Sequence, residues 1–161
     1  DQIKDDYAFR IVEARSKQEV ARRLVSLDQT YGETQKISFA FVCGHGSRDS
    51  ISFGDNGVDY RLHIDDLGGK GVKRTKYFFT EHPSIVLASC STGVERGIAQ
   101  EISKMFNANV SAPIEATAIE KITPIISDGR IDFDVEYYRS EPDKKSNTVF
   151  VDGILRNQLN N

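Results

Sequence analysis

Cysteine is scarce in this chain: Cys43 and Cys90 are the only two among 161 residues. A disulfide-stapled scaffold is therefore excluded, and so is a zinc finger built on four ligands of the usual spacing. Histidine is nearly as rare, with His45, His63 and His82 alone. Positive charge does not dominate either. The formal charge is −3 and the pI about 5.6, which argues against nucleic-acid or anionic-membrane binding as the main role, since both rely on a basic surface. No apolar run approaches the roughly 20 residues of a membrane span, and no cationic-then-apolar leader opens the chain. It starts at Asp1 rather than Met, so a fragment or processed form of a longer protein is expected. What is present is ordinary globular composition, 39% hydrophobic and 28% charged. The length predicts one domain over residues 1–161, able to bury about two thirds of its unfolded surface.

The segment Tyr7–Val12 alternates apolar and polar, which predicts a half-buried strand. Ser16 can cap a helix over about 17–30, with Val20, Leu24 and Leu27 as its stripe and Gly32 as its stop. Ile37–Cys43 is a nearly continuous apolar run, the pattern of a strand covered on both faces. Ile51 and Phe53, the turn signal Gly54-Asp55-Asn56-Gly57, and alternating Val58, Tyr60 and Leu62 predict a small hairpin. Ile64–Leu67 begins a short helix that Gly68-Gly69 stops; residues 70–82 are polar and basic, with Tyr77, Phe78 and Phe79 expected to be buried. A second buried-type strand starts at Pro83 and ends in Ser89-Cys90. A helix over about 94–106 and a third core strand around Val110 follow. Alternation at Ile131, Phe133 and Val135, then at Val149 and Val151, around a polar loop from Ser140 to Asn147, predicts a C-terminal hairpin or flap. Strands and helices alternating in this order predict an α/β three-layer sandwich around a mostly parallel sheet. Ligands of such folds collect at the carboxyl ends of the strands.

Two of these strands end in reactive residues, His45 and Cys90. If the strands are parallel neighbours, both side chains emerge at one edge of the sheet. A free thiol has a pKa of about 8.5, and an imidazole is its usual activating partner. Glycines flank His45 and let the backbone turn sharply, while small residues beside Cys90 leave room for a substrate main chain. The N–H groups of Gly46 and Cys90 are candidate donors to an oxyanion. A strand-terminal Cys also serves as a small buried hydrophobe, and a strand-terminal His as a satisfied polar residue. Ser91, in Ser89-Cys90-Ser91-Thr92-Gly93, imitates the serine of a nucleophile elbow, but no histidine follows it, and the α/β-hydrolase order requires one. Papain-like order would need Cys43 with His63 or His82, and Cys43 is expected to pack inside its strand. A zinc site from Cys43, His45 and Cys90 lacks the spacing of a ligand motif, so no metal is expected.

Phe39-Ala40-Phe41-Val42-Cys43-Gly44-His45-Gly46, followed by Ile85-Val86-Leu87-Ala88-Ser89-Cys90, resembles the caspase-like, or clan CD, cysteine peptidases. That group includes caspases, separase, gingipains, clostripain, legumain and the self-processing domains of large bacterial toxins. His45 and Cys90 stand 45 residues apart, near the roughly 50 of caspases. The likeness covers about residues 8–113, and the Ser-Cys-Ser-Thr-Gly ending is closer to separase-like and bacterial members. It implies the caspase-hemoglobinase fold and peptide cleavage through a thioester, with Cys90 as nucleophile, His45 as its base or imidazolium partner, and Gly46 as an oxyanion donor. The caspase Gln-Ala-Cys-Arg-Gly surround is absent, so aspartate specificity is not carried over. The partner implied is a protein or peptide substrate, including the chain's own parent. The compartment implied is a reducing cytoplasm, or a host cytosol reached by secretion from a pathogen.

Substrate selection falls to groups near the nucleophile, for which Ser89, Glu115, Glu120 and Asp49, with Asp55, are the candidates. An acidic pocket would favour Arg or Lys substrates; solvated surface carboxylates are the plainer alternative. Lys70, Lys73, Arg74 and Lys76 form a basic run that reads as a solvated loop. By resemblance to the toxin domains it also raises an inositol phosphate activator, with Lys144 and Lys145 the basic pair in the flap. No other cofactor is expected. His63 and His82 read as surface or packing residues. Two further functions stay open: a catalytically inactive interaction module using the same strand edge, and a thiol-based acyltransferase or amidase.

Overall fold

The computed structural model describes residues 7–54, 57, 59–138 and 147–156. Asp55, Val58, Lys144, Lys145 and nearly all of the expected polar loop lie outside these residues.

Helix α1 (Lys17–Tyr31) starts where the sequence says it should. The Ser16 hydroxyl accepts from the Glu19 N–H at 3.1 Å, and the Gly32 N–H closes the last turn on the Asp28 carbonyl at 2.7 Å. Its stripe is only half-buried, so α1 is a surface helix. The central sheet has five strands in the order β1 (Ile37–Cys43), β5 (Phe79–Ala88), β6 (Asn109–Pro113), β9 (Asn147–Val151) and β10 (Ile154–Leu155). Pairs β1–β5 and β5–β6 are parallel; β6–β9 and β9–β10 are antiparallel. The sheet is thus mixed rather than mostly parallel. Connection length explains this. Parallel neighbours need a long crossover, which the chain supplies after β1 and after β5, whereas β9 and β10 are joined only by Asp152-Gly153. Both of those residues have positive φ, the geometry of a tight hairpin turn.

Strand β5 alternates its burial between two faces. Ile85 and Leu87 join Val110, Ala112 and Phe150 against Ile98, Ala99 and Ile102 of α3 (Ile98–Phe106). Ile51 of a small antiparallel sheet lies in the same cluster. That sheet comprises β2 (His45–Ser47), β3 (Ser50–Ser52) and β4 (Arg61–His63), which enlarges the expected small hairpin by one strand. Helix α3 begins at Ile98 instead of near 94, because residues 91–97 are used as a loop.

The opposite face is covered by a second hairpin, not by helices. Strands β7 (Ile119–Ser127) and β8 (Arg130–Tyr137) pair antiparallel, and β8 sends Ile131, Phe133, Val135 and Tyr137 against Val86 and Phe39. The expected C-terminal hairpin is therefore differently wired. Ile131–Val135 pairs backwards with β7 through the positive-φ turn Asp128-Gly129, and Val149 and Val151 join the central sheet beside β6. Two anchors fix β8. Asp132 accepts from Ser84 at 2.7 Å and Asn109 at 3.0 Å near one end. At the other end the Tyr137 hydroxyl donates to the carbonyls of Leu87 at 2.9 Å and Ser111 at 3.2 Å.

Three further expectations are corrected. Residues 7–12 form no strand: Tyr7 and Phe9 pack their rings on Phe39, and Ile11 is 96% exposed. Strand β1 is an edge strand among the described residues, with Phe41 39% exposed; its apolar run serves aromatic packing on Phe133 rather than two-sided burial. The basic stretch contains helix α2 (Lys70–Thr75), and β5 begins at Phe79, which packs on Phe106 with ring centroids 5.0 Å apart. Tyr77, expected inside, is 75% exposed. Between Ile64 and Gly68 the chain makes a tight helical turn, as expected.

Candidate active site

The parallel register of β1 and β5 sets Cys43 opposite Ala88. His45 and Cys90 each lie two residues beyond that pair, so they leave the sheet at the same edge, from adjacent strands. After Cys43 the backbone bends into β2. A Cβ on Gly44 would stand 2.3 Å from the Ser52 carbonyl oxygen, so only glycine fits. Gly46 is closely packed as well, against the other tip. A Cβ there would lie 2.5 Å from the Cys90 carbonyl oxygen and 2.8 Å from the Cys90 nitrogen. The residue after the imidazole thus touches the backbone of the residue carrying the sulfur.

The hydrogen-bond phase of the small sheet orients Gly46. The Phe53 N–H bonds the Tyr60 carbonyl and the Ile64 N–H bonds the Asp49 carbonyl, both at 2.8 Å. Those bonds fix the alternation along β3, so Ile51 directs its amide and carbonyl to Leu62 of β4. Gly46, the partner of Ile51 on β2, consequently turns its N–H away from β3, off the open edge of the sheet.

Beyond Cys90 the chain doubles back. Ser91 adopts φ +58, an uncommon conformation for a residue with a side chain. Its N–H bonds the Glu115 carbonyl at 3.1 Å, and the Gly93 N–H bonds the Pro113 carbonyl at 2.7 Å. Residues 91–93 therefore run antiparallel to 113–115, and Cys90 sits at the apex of a sharp reversal. The Cys90 thiol is half-buried, with Sγ 4.0 Å from the Thr117 carbonyl oxygen. His45 is exposed. Among the described residues no hydrogen bond joins His45 to Cys90, and apo geometry at such pairs is often loose.

The other expected residues divide. Glu115 is brought beside the reversal through its carbonyl. Ser89 is not a groove residue: it is 1% exposed, and its hydroxyl has no hydrogen-bond partner. At the end of a strand covered on both faces, its side chain falls on the interior side. Asp49 is at the far end of β2 from His45, in the β2–β3 turn, with its carboxylate 3.7 Å from the Arg48 guanidinium. Glu120 is exposed at an irregularity in the β7–β8 pairing. An acidic pocket made from all these groups is not assembled.

Cys43 is exposed at the sheet edge instead of packed. Among the described residues no three His, Cys, Asp or Glu side chains gather where a metal ion could be held. His63 caps the 64–68 turn, its Nδ1 accepting from the Asp65 N–H at 3.3 Å. His82 lies 2.9 Å from the Asn107 amide nitrogen. Lys70, Lys73 and Arg74 sit on exposed α2, and Lys76 is exposed just beyond it. No helix among the described residues is long and apolar enough to cross a membrane.

Sequence reasoning missed Thr117 and Tyr137. Nothing local marks Thr117, because its relation to Cys90 is long-range. Tyr137 was legible, since it continues the inward alternation of Ile131, Phe133 and Val135. It is 1% exposed, and burial pushes its hydroxyl well above the usual phenol range. Its hydroxyl bridges Leu87 and Ser111, just where the β5–β6 pairing ends at Val86 and Ser111.

These features define a mixed α/β protein with an imidazole and a thiol at adjacent strand tips. The chain belongs to the family described as a domain of unknown function, DUF8616, which matches residues 16–132 and so includes both tips. No curated protein and no solved structure matches it.

Proposed function

We propose that this chain is a caspase-like cysteine peptidase domain, in which Cys90 is the nucleophile and His45 its proton partner. The observation that carries the reading is the β1–β5 register, with Cys43 opposite Ala88, which brings both tips to one sheet edge. The contact of Gly46 with the Cys90 backbone supports it, as does the Gly46 N–H turned off the open edge of the small sheet by its pairing phase.

His45 takes the proton of the Cys90 thiol, the sulfur attacks the scissile carbonyl carbon, and the carbonyl π pair moves to oxygen. The N–H groups of Gly46 and Cys90 donate to that oxyanion. Collapse restores the carbonyl, breaks the C–N bond and leaves a thioester on Cys90, while His45 gives the departing amine its proton. Water, deprotonated by His45, then attacks the thioester; the C–S bond breaks, the acid product leaves, and the freed sulfur takes its proton back from His45. The fold-level likeness to caspase-hemoglobinase sandwiches belongs to the same proposal, as do a self-processing role and an inositol phosphate activator.

Fluorogenic peptides carrying Arg, Leu or Asp before the scissile bond test the reading. Cleavage of at least one is expected, abolished in Cys90→Ala and retained in Cys43→Ala. Undiminished cleavage by Cys90→Ala overturns it.

A further inference from the structure

The half-buried Cys90 lies against loop residue Thr117, whose carbonyl oxygen stands 4.0 Å from the sulfur. Loop Ile114–Ala118, between β6 and β7, is held on both sides. On the elbow side the Glu115 carbonyl accepts from the Ser91 N–H at 3.1 Å, and the Thr117 carbonyl stands 4.0 Å from Cys90 Sγ. On the hairpin side the Thr117 hydroxyl donates to the Tyr138 carbonyl at 2.6 Å, and the Tyr138 N–H donates to the Ala118 carbonyl at 2.9 Å. Tyr138 follows Tyr137, whose buried hydroxyl already grips the nucleophile strand at Leu87. One short stretch at the end of β8 therefore fixes both the strand that bears the sulfur and the loop that lies on it.

We infer that Ile114–Ala118 is an autoinhibitory cover latched to Tyr138, and that it must lift before Cys90 can react. The inference gives the proposed His45–Cys90 site its regulation, and it takes its meaning from that reading. In the closed state the thiol donates to the Thr117 carbonyl. A reacting thiolate has no proton to offer there and meets the carbonyl lone pairs instead. A peptide backbone approaching Sγ competes with the loop for the same space. The closure rests on a few hydrogen bonds at half-buried and exposed residues rather than on core packing, which is the character of segments that open locally without global unfolding.

Alkylation by iodoacetamide reads the opening without any need for peptidase activity. The sulfur forms a C–S bond to the methylene carbon, the C–I bond breaks, and iodide leaves. Cys43, exposed in the same molecule, is the internal reference. Wild-type Cys90 is expected to react more slowly than Cys43. Thr117→Val removes the latch hydroxyl at constant shape and is expected to raise the Cys90 rate about fivefold, the shift that corresponds to about 1 kcal/mol for one hydrogen bond, with Cys43 unchanged. Thr123→Val, on exposed β7, is expected to change neither rate. In the wild type, the Ser91 and Tyr138 amides are expected to exchange with solvent far faster than that of Val86. Equal wild-type rates at the two cysteines overturn the inference. So does an unaltered Cys90 rate in Thr117→Val, or exchange of Ser91 and Tyr138 only together with Val86. Failure of peptide cleavage alongside these expected rates overturns the enzymatic reading and leaves the latch standing.

Discussion

Gly46 and Cys90 meet backbone to backbone, so closely that the missing side chain of Gly46 is the reason they fit: a Cβ would lie 2.5 Å from the Cys90 carbonyl oxygen and 2.7 Å from the Ser89 carbonyl carbon. Backbone atoms cannot swing aside as the end of a long side chain can. The contact ties the residue beside the imidazole to the one that carries the thiol, and it depends on a single absent methyl group.

Gly46→Ala follows directly. Overpacking of this kind costs about 1–3 kcal/mol, and here the strain falls on the Cys90 turn. A folded protein with a lowered urea midpoint and at least tenfold slower peptide cleavage is expected. Wild-type kinetics in Gly46→Ala would show that the two tips do not work as one unit.

Tyr137→Phe removes one hydroxyl from a site with no water-facing surface and leaves the Leu87 and Ser111 carbonyls short of a donor. An unsatisfied buried polar group costs about 1–3 kcal/mol. Urea unfolding is expected to move by that amount with an unchanged slope, because the buried area scarcely changes.

Asp66 gives a pH dependence. Burial works to raise its carboxyl, but the His63 N–H at 2.7 Å, the Lys17 ammonium at 2.9 Å and the nearby His63 ring outweigh it and hold the group below its ordinary value of 3.8. The folded state thus binds its proton less readily than the unfolded chain. The contribution is complete above about pH 4 and disappears as pH falls through the folded value. Asp66→Asn is expected to lower stability at pH 6, and its deficit against the wild type is expected to shrink as the pH falls below the ordinary carboxyl value of 3.8, as read by thermal unfolding at a series of pH values.

How much was visible beforehand depends on whether a residue's role is local. Ser16 and Gly32 bracket α1 because capping is written into neighbouring residues. The runs ending at Cys43 and Ala88 read as strands because burial demands apolar side chains. Strand β7 stayed hidden for the converse reason: it carries Glu120, Lys121 and Pro124, and from Glu120 onward none of its residues is shielded from solvent, so no hydrophobic period marks it. The Asp128-Gly129 and Asp152-Gly153 turns were present as hairpin signals, and they decide which strands run antiparallel. Adjacency of His45 and Cys90 was legible from two apolar runs of the same kind. The direction in which Ser89 and Asp49 point was not, since it depends on register and on the turn chosen at each strand end.

The central claim is that Cys90, paired with His45 at one sheet edge, is the reacting sulfur. Intact-mass measurement after incubation with a panel of peptidyl chloromethyl ketones tests it most directly. A single adduct is expected, mapping to Cys90, absent in Cys90→Ala and much slower to form in His45→Ala. Adducts confined to the exposed Cys43, or formed at Cys90 at one rate whatever the peptide and with or without His45, would contradict it.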